Sequence, residues 1–187
     1  MKFTVHTIET APPAAQADLQ AARKANGFIP NLLGIMAEAS IALKAYMEMS
    51  ELLGKSGFTP VERQVMMIAG SVTNECGYCI AAHSTLAVKV RMPPPVLAAL
   101  RDGNTLPDAK LEALRSFVSE VVSTRGRVSD ARIQSFLDAG YTRANVLEVV
   151  FGAAMKTLSN YTNHMAETPV DAAFAPQTWT ANALAGA

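Results

Sequence analysis

Residues 59–86, TPVERQVMMIAGSVTNECGYCIAAHSTL, combine a helix start, an apolar helix and a cysteine motif in one continuous run. Thr59 suits an N-cap, Pro60 suits the first helical position, and Glu62 completes a capping-box pattern. The apolar residues that follow repeat at helical spacing and trace a wide stripe: Val61, Val65, Met66, Ile68, Ala69 and Val72. We therefore predict a helix from Pro60 to about Asn74, followed by the cysteine motif.

The rest of the chain carries the same kind of signal, with helical periodicity interrupted by Gly, Pro and capping residues. The further helices are predicted at 14–26, 31–38, 40–54, 80–91, 96–101, 107–123, 129–139 and 143–165. Residues 1–11 form an extended N-terminal arm with the only β-like alternation, and residues 169–187 form a tail with a single Trp. The sequence predicts a single all-α domain over 1–187.

A weak internal similarity relates two of these helices. Residues 59–79 and 142–164 each begin with a Thr that can cap an apolar helix, and each ends in a polar stretch that contains a Tyr. We interpret them as two similar helical units that pack together.

Composition limits the class of protein. Half of the 187 residues are hydrophobic and 17% are charged, which argues against disorder. The net charge is zero, which disfavours a nucleic-acid partner. We find no apolar run long enough for a membrane span and no signal peptide, and so predict a cytoplasmic protein. Low charge leaves little resistance to self-association, so we expect a homo-oligomer, either a dimer, a trimer or a hexamer.

The two cysteines of the chain, Cys76 and Cys79, are followed by His83. In a helix the three side chains lie within about 60° of one another on one face. His83, four residues after Cys79, can take its thiol proton or, as imidazolium, stabilise its thiolate. Cys76 lies near the helix start, where the helix dipole also favours a thiolate. Such a pair can act as a redox couple in which one sulfur attacks and the other resolves.

Two alternatives remain open. The chain can be a non-catalytic oligomeric helical binding protein whose cysteines are merely buried. It can also be a metal-binding helical domain, with zinc held by Cys76, Cys79, His83 and a fourth ligand. The candidates for that ligand are His164, Glu75 and Glu62.

Other polar residues are candidates for a proton relay. Glu62 is better explained as a capping-box residue. His164 ends a polar run, where it is either solvated or lines the thiol site from a facing helix. Glu148 lies among apolar residues of a helix, where a carboxylate is costly unless it is paired or solvated.

Residues 59–86, centred on Glu-Cys-Gly-Tyr-Cys-Ile-Ala-Ala-His-Ser, resemble the carboxymuconolactone decarboxylase-like family, in its AhpD-like alkylhydroperoxidase branch. The resemblance implies an all-α, AhpD-like helical bundle that forms oligomers, with 59–91 as the redox helix pair. It implies a thiol-dependent peroxidase that needs no metal or organic cofactor. The implied partners are a peroxide or other small oxidant and a dithiol reductant, such as a lipoylated or thioredoxin-like protein.

The resemblance also implies roles for individual residues. Cys79 is the sulfur that attacks the peroxide, Cys76 is the resolving sulfur, and His83 relays the proton. The relay glutamate of the family falls on Gln64, which cannot carry a proton as a carboxylate does. Tyr78 stands where some members have a histidine. Glu62, Glu75 and Glu148 are the carboxylates that can replace the missing one, and decarboxylation is disfavoured because the decarboxylases of the superfamily lack the cysteine pair.

Overall fold

The computed structural model describes residues 3–180, which contain nine α-helices and no β-strand. The helices are α1 (Pro13–Asn26), α2 (Asn31–Met36), α3 (Ser40–Gly54), α4 (Pro60–Thr73), α5 (Gly77–Lys89), α6 (Pro94–Arg101), α7 (Ala109–Ser123), α8 (Asp130–Asp138) and α9 (Arg143–Ala166). A short 3-10 turn, Ala175–Gln177, lies in the tail. The all-α fold class predicted from the sequence is confirmed.

The two helices related by the internal similarity both start with a capping box. The Thr59 hydroxyl accepts from the Glu62 amide, and the Glu62 carboxylate accepts from the Thr59 amide. Thr142 and Asn145 make the same reciprocal pair at the start of α9. The two helices pack against each other.

The predicted start of α5 at residue 80 is three residues too late. Glu75 adopts a left-handed backbone conformation with φ of 54°, which ends the path of α4 and turns the chain. Cys76 then occupies the N-cap of α5 with an extended backbone, and Cys79 lies in the first turn of the helix. Cys76 therefore borders the helix that contains Cys79 and His83, whereas the estimate of a shared face assumed that all three residues are helical.

α4 is the central helix of the bundle, since it packs on α5, α6, α7 and α9. Val65 to Gly70 are all buried, so this helix has no solvent-facing side in its middle. Apolar side chains from α4, α6, α7 and α9 form one core around it. A second core joins α1, α2 and α3 to the two cysteines, so the thiols lie within the hydrophobic interior of the fold.

The tail packs back on the body of the protein. The Trp179 indole N–H donates to the Arg101 carbonyl at 2.9 Å, and the Arg101 guanidinium donates to the carbonyls of Gln177 and Thr178. The Trp179 carbonyl also lies against Gly77, where an added Cβ would approach it to 3.0 Å. The tail therefore covers the beginning of α5, and the part of the tail beyond residue 180 lies outside the described residues.

The N-terminal arm forms no strand in the described range, and it contacts the body through the His6 amide, which donates to the Gly34 carbonyl at 3.1 Å, and through the His6 ring, which lies 2.7 Å from the Glu38 carboxylate. Among residues 3–180 we also find no helix whose length and apolar character would let it cross a bilayer.

Candidate active site

Two free thiols, those of Cys76 and Cys79, lie at the start of α5. Cys76 is 1% exposed and Cys79 is 2% exposed. The Asn163 side-chain amide, from the last turns of α9, donates to Cys79 Sγ at 3.1 Å and lies 3.7 Å from Cys76 Sγ. One amide group thus bridges both sulfurs, and α9 forms the wall of the site opposite α5.

Further polar groups of α9 and α3 complete this wall. Ser159 Oγ lies 3.8 Å from Cys79 Sγ and donates to the Met155 carbonyl at 3.2 Å, and the Tyr46 ring of α3 packs on the same core as the cysteines. Asn160 accepts a hydrogen bond from the Asn74 side chain at 3.0 Å, which fixes α9 against the turn before the cysteine motif. Burial and the neighbouring charge of Cys79 raise the pKa of Tyr46 above its usual range, so its hydroxyl stays protonated.

A buried cation lies in the same wall. Lys156 is 1% exposed, and its Nζ has no hydrogen-bond partner within residues 3–180. It precedes Ser159, Asn160 and Asn163 by three, four and seven residues, the spacing that puts side chains on one face of a helix. Its charge acts on both sulfurs and on His83.

The two thiols differ in acidity. Burial by itself would raise the pKa of Cys79, but the hydrogen bond from Cys76 and the charge of Lys156 oppose it. The neighbouring Ser159 hydroxyl acts in the same direction, so the pKa of Cys79 lies well below its usual range. The hydrogen bond to Cys79, followed by burial, raises the pKa of Cys76 far above its usual range. The geometry favours a Cys79 thiolate beside a protonated Cys76 thiol.

His83 pairs with Gln64 rather than with a thiol. Its Nδ1 lies 3.0 Å from Gln64 Oε1 on α4, and no hydrogen bond joins His83 to Cys79 in the described part of the chain. Burial, followed by the charge of Lys156, holds the pKa of His83 well below its usual range. The ring is therefore neutral at pH 7 and does not provide the imidazolium that the sequence analysis considered.

Tyr78 lies between the cysteines in sequence but has a different partner. Its hydroxyl donates to the buried carboxylate of Asp171 at 2.6 Å and accepts from the Leu32 amide at 3.3 Å. Its ring also packs edge-on against Phe174. Tyr78 thus fastens the tail over α5, and its hydroxyl is occupied by that contact.

The carboxylates proposed as relay groups lie elsewhere. Glu62 is held in its capping box and is 3.1 Å from Lys110, as the capping interpretation predicted. Glu148 accepts from the Gly57 amide and from the Asn145 side chain, both at 2.8 Å, so its charge is satisfied at the start of α9. Glu75 is exposed on the turn before Cys76.

His164 is exposed on α9, so the solvated alternative holds for it, and its neighbour Asn163 is the residue that faces the sulfurs. Within residues 3–180 no three His, Cys, Asp or Glu side chains are arranged to hold a metal ion. The zinc alternative thus lacks a ligand set here, because its three candidate fourth ligands lie away from the thiols.

Sequence reasoning missed the wall of the site. Lys156, Ser159 and Asn163 supply its charge and hydrogen bonds, but they are separated from the cysteines by about 80 residues of sequence. The available signal was the polar run from Ser159 to His164 near the end of an otherwise apolar helix. It indicated a polar surface without indicating which of its residues point inward.

Comparison with known proteins agrees with this fold. Residues 42–117 match the model of the Carboxymuconolactone decarboxylase family. The chain is similar in structure to the alkylhydroperoxidase AhpD core of an uncharacterized peroxidase-related protein from Ralstonia eutropha JMP134, at 20% identity, with a TM-score of 0.81, over 92% of this chain and 93% of that one. An uncharacterized peroxidase-related protein from Silicibacter sp. TM1040 matches at 18% identity, with a TM-score of 0.81, over 95% and 94% of the two chains.

A third similar structure is the debrominase Bmp8, at 14% identity and a TM-score of 0.72, over 88% of this chain and 90% of that one. No curated protein sequence matches the chain. Residues 42–117 thus resemble the carboxymuconolactone decarboxylase family, and the helical fold is similar to that of the AhpD-like core proteins. The resemblance predicted from the sequence is confirmed.

Proposed function

We propose that the protein is a thiol-dependent peroxidase of the alkylhydroperoxidase type, with Cys79 as the attacking sulfur and Cys76 as the resolving sulfur. The observation that carries the proposal is the pair of buried thiols that the Asn163 amide bridges, at 3.1 Å from Cys79 Sγ and 3.7 Å from Cys76 Sγ. A thiolate is the nucleophile in thiol chemistry, and a second sulfur beside it can close a disulfide once its own proton has left.

The reaction has two oxidative steps. The Cys79 thiolate attacks the terminal oxygen of a hydroperoxide, the S–O bond forms, the O–O bond breaks, and an alkoxide or hydroxide leaves. Cys76 then attacks the sulfenic sulfur of Cys79, the S–S bond forms, and the sulfenic oxygen leaves as water with the Cys76 proton. A dithiol reductant restores both thiols by exchange through a mixed disulfide.

Burial of both sulfurs favours small oxidants. The tail and the two cores leave each sulfur almost wholly enclosed. An open groove of about 380 Å³ lies nearby between α5, α6 and the tail, but neither cysteine lines it. The reductant, which we expect to be a lipoylated or thioredoxin-like protein, therefore needs the covering segment to move before it reaches a sulfur.

A peroxide-consumption assay tests the proposal. Wild-type protein with dihydrolipoamide, a lipoylated protein or thioredoxin as reductant should consume hydrogen peroxide or an alkyl hydroperoxide catalytically. The Cys79→Ser variant should lose turnover, and Cys76→Ser should react once and stop. If neither thiol of the wild type reacts with excess peroxide, the non-catalytic helical binding protein is the better explanation.

A further inference from the structure

Lys156 is a buried charge that no protein group satisfies by a hydrogen bond. Its Nζ is enclosed and unpartnered within residues 3–180, and Asn160 Nδ2 and Asn163 Oδ1 in the same wall are also unpartnered. Burial of an unpaired ammonium is strongly unfavourable, because the charge loses its hydration and gains no hydrogen bond in return. A buried positive charge is stabilised by a negative charge nearby. In the described surroundings of Lys156, the Cys79 thiolate is such a charge.

The position of the side chain is fixed by its neighbours. An added Cβ at Gly70 of α4 would lie 3.4 Å from Lys156 Cγ, so the stem of the lysine lies against α4, and its charge acts on Cys76, Cys79 and His83. The next turns of that helix face carry Ser159 and Asn163, which contact Cys79. The titratable groups around this position are Cys76, Cys79 and His83 from α5 and Tyr46 from α3.

None of these neighbours competes for the role of cation. His83 is neutral and donates to Gln64, and Gln64 has no proton to relay. We propose that Lys156, in place of a histidine–carboxylate relay, is the cation that holds Cys79 as a thiolate and the source of the proton that the leaving oxygen takes. This inference rests on the proposed peroxidase function.

With this assignment, every proton of the peroxidase cycle has a source and an acceptor. The Cys79 thiolate takes one oxygen from the hydroperoxide, and the departing alkoxide takes a proton from the Lys156 ammonium to leave as an alcohol. The Cys76 thiol then supplies the proton with which the sulfenic oxygen leaves as water, and the disulfide remains beside a neutral Lys156 amine. Reduction by a dithiol brings two protons, of which one returns to Cys76 and the other to Lys156.

The first experiment reads the thiolate without requiring turnover. Ultraviolet absorbance of the thiolate is titrated against pH in reduced wild type, Lys156→Met, His83→Asn and, as a matched surface control, Lys44→Met. Removing an opposite charge next to a thiolate should raise the Cys79 pKa by about 1–3 units. His83→Asn and Lys44→Met should stay near wild type, since the first removes a neutral ring and the second an exposed lysine of α3.

Met is close to Lys in volume and lacks the buried charge, so the Lys156→Met variant should fold at least as stably as wild type. Circular dichroism and urea unfolding check this. A Cys79 pKa that is unchanged in folded Lys156→Met, or raised instead by His83→Asn, overturns the assignment of the cation. The outcome is independent of the peroxidase proposal, because wild type that never consumes peroxide still gives this titration.

The second experiment tests whether Lys156 supplies the proton that the leaving oxygen takes. Single-turnover oxidation is timed with hydrogen peroxide, whose leaving hydroxide needs a proton, and with peracetic acid, whose leaving acetate does not. The loss of thiolate in Lys156→Met slows both oxidants equally, so the ratio of the two rates reports the proton alone. We expect the oxidation rate with hydrogen peroxide to fall at least about tenfold more than the rate with peracetic acid, a difference equivalent to about one pKa unit. Equal slowing overturns the proton-source half of the proposal.

Discussion

The Nδ1 of His83 and the Oε1 of Gln64 lie 3.0 Å apart across α5 and α4. An amide oxygen only accepts, so His83 carries its proton on Nδ1 and donates it to Gln64. The family resemblance assigns a relay histidine and a relay glutamate to these two positions, and the fold does bring them into contact. The partner at the glutamate position is an amide, however, so the contact fixes the ring without moving a proton.

Substitution of Gln64 by Glu should place a negative charge beside the His83 ring. A carboxylate beside the ring favours the imidazolium, so the pKa of His83 should rise in Gln64→Glu. NMR titration of the His83 ring measures it, with Gln134→Glu on exposed α8 as the control. We expect peroxide turnover to change only a few-fold, because Lys156 supplies the charge at Cys79. Turnover raised a hundredfold would show that the histidine relay limits the native enzyme.

The two cysteines should differ in their first reaction with peroxide. Cys76→Ser retains the Cys79 thiolate and should form a sulfenic acid that dimedone traps. Cys79→Ser should form less, since the burial that raises the pKa of Cys76 remains in this variant. In wild type, mild peroxide should remove both free thiols with a mass loss of about two hydrogens, as one intramolecular disulfide forms. Equal labelling of both single variants by dimedone would reverse or remove the assignment of roles.

The stability of the reduced protein should depend on pH through Cys79. An unfolded cysteine has a pKa of about 8.5, and the folded pKa lies well below its usual range. Between the two values the unfolded chain binds a proton that the folded chain does not, so the free energy of unfolding rises with pH. This contribution is complete above about pH 8.5 and is lost as the pH falls through the folded pKa.

Urea unfolding of reduced wild type and Cys79→Ser between about pH 6.5 and 8.5 measures this slope, which only wild type should show. Oxidised wild type has no thiol to titrate and serves as the control. Parallel curves for wild type and Cys79→Ser would mean that Cys79 is not a thiolate in the folded state. Below this window His83 adds a similar slope, because its folded pKa is also lowered.

The Tyr78 hydroxyl should hold the tail in place. Tyr78→Phe removes its hydrogen bond to the buried Asp171 carboxylate, and hydrogen bonds to charged groups contribute about 1.5–3 kcal/mol. The free energy of unfolding in urea should fall by that amount, and proteolysis in residues 169–180 should become faster. Tyr161→Phe is the matched control, since Tyr161 is exposed on α9. No difference between the two variants would mean that the tail is held without this contact.

Self-association should involve the exposed apolar side chains of α3 and α9. The helices run antiparallel, with the segment after α3 bonded to Glu148 near the start of α9. Ile41 at the start of α3 is 81% exposed and Met165 at the end of α9 is 72% exposed. With no net charge on the chain, such a surface favours a homo-oligomer of two, three or six copies.

Light scattering at micromolar concentration should therefore give a mass that is a multiple of the 19.9 kDa chain. Ile41→Glu and Met165→Glu should lower that mass, while Ala21→Glu on the exposed side of α1 should leave it unchanged. A monomer for wild type would refute the expectation of an oligomer. An oligomer that survives both charged substitutions would place the interface on another surface.

Much of the fold was predictable because its signals are local. Each of the capping boxes at Thr59 and Thr142 spans four residues of sequence. They start α4 and α9, the two helices that lie beside the site. The start of α5 was misplaced because the left-handed turn at Glu75 has no Gly or Asn to mark it. The single Trp of the tail carries no local signal of its partner, and the structure places it on Arg101.

The sequence by itself determined the all-α class, the helix order and the cysteine pair, since caps, periodicity and spacing depend on residues a few positions apart. Only the tertiary structure decided what surrounds those cysteines. Asn163 contacts the thiols from α9 and Lys156 is buried in the same helix, and neither a lysine nor an asparagine in an apolar helix shows in sequence whether it faces water or the core. The charge that sets the acidity of Cys79 depends on distance and burial across two helices, and these arise only when the chain is packed.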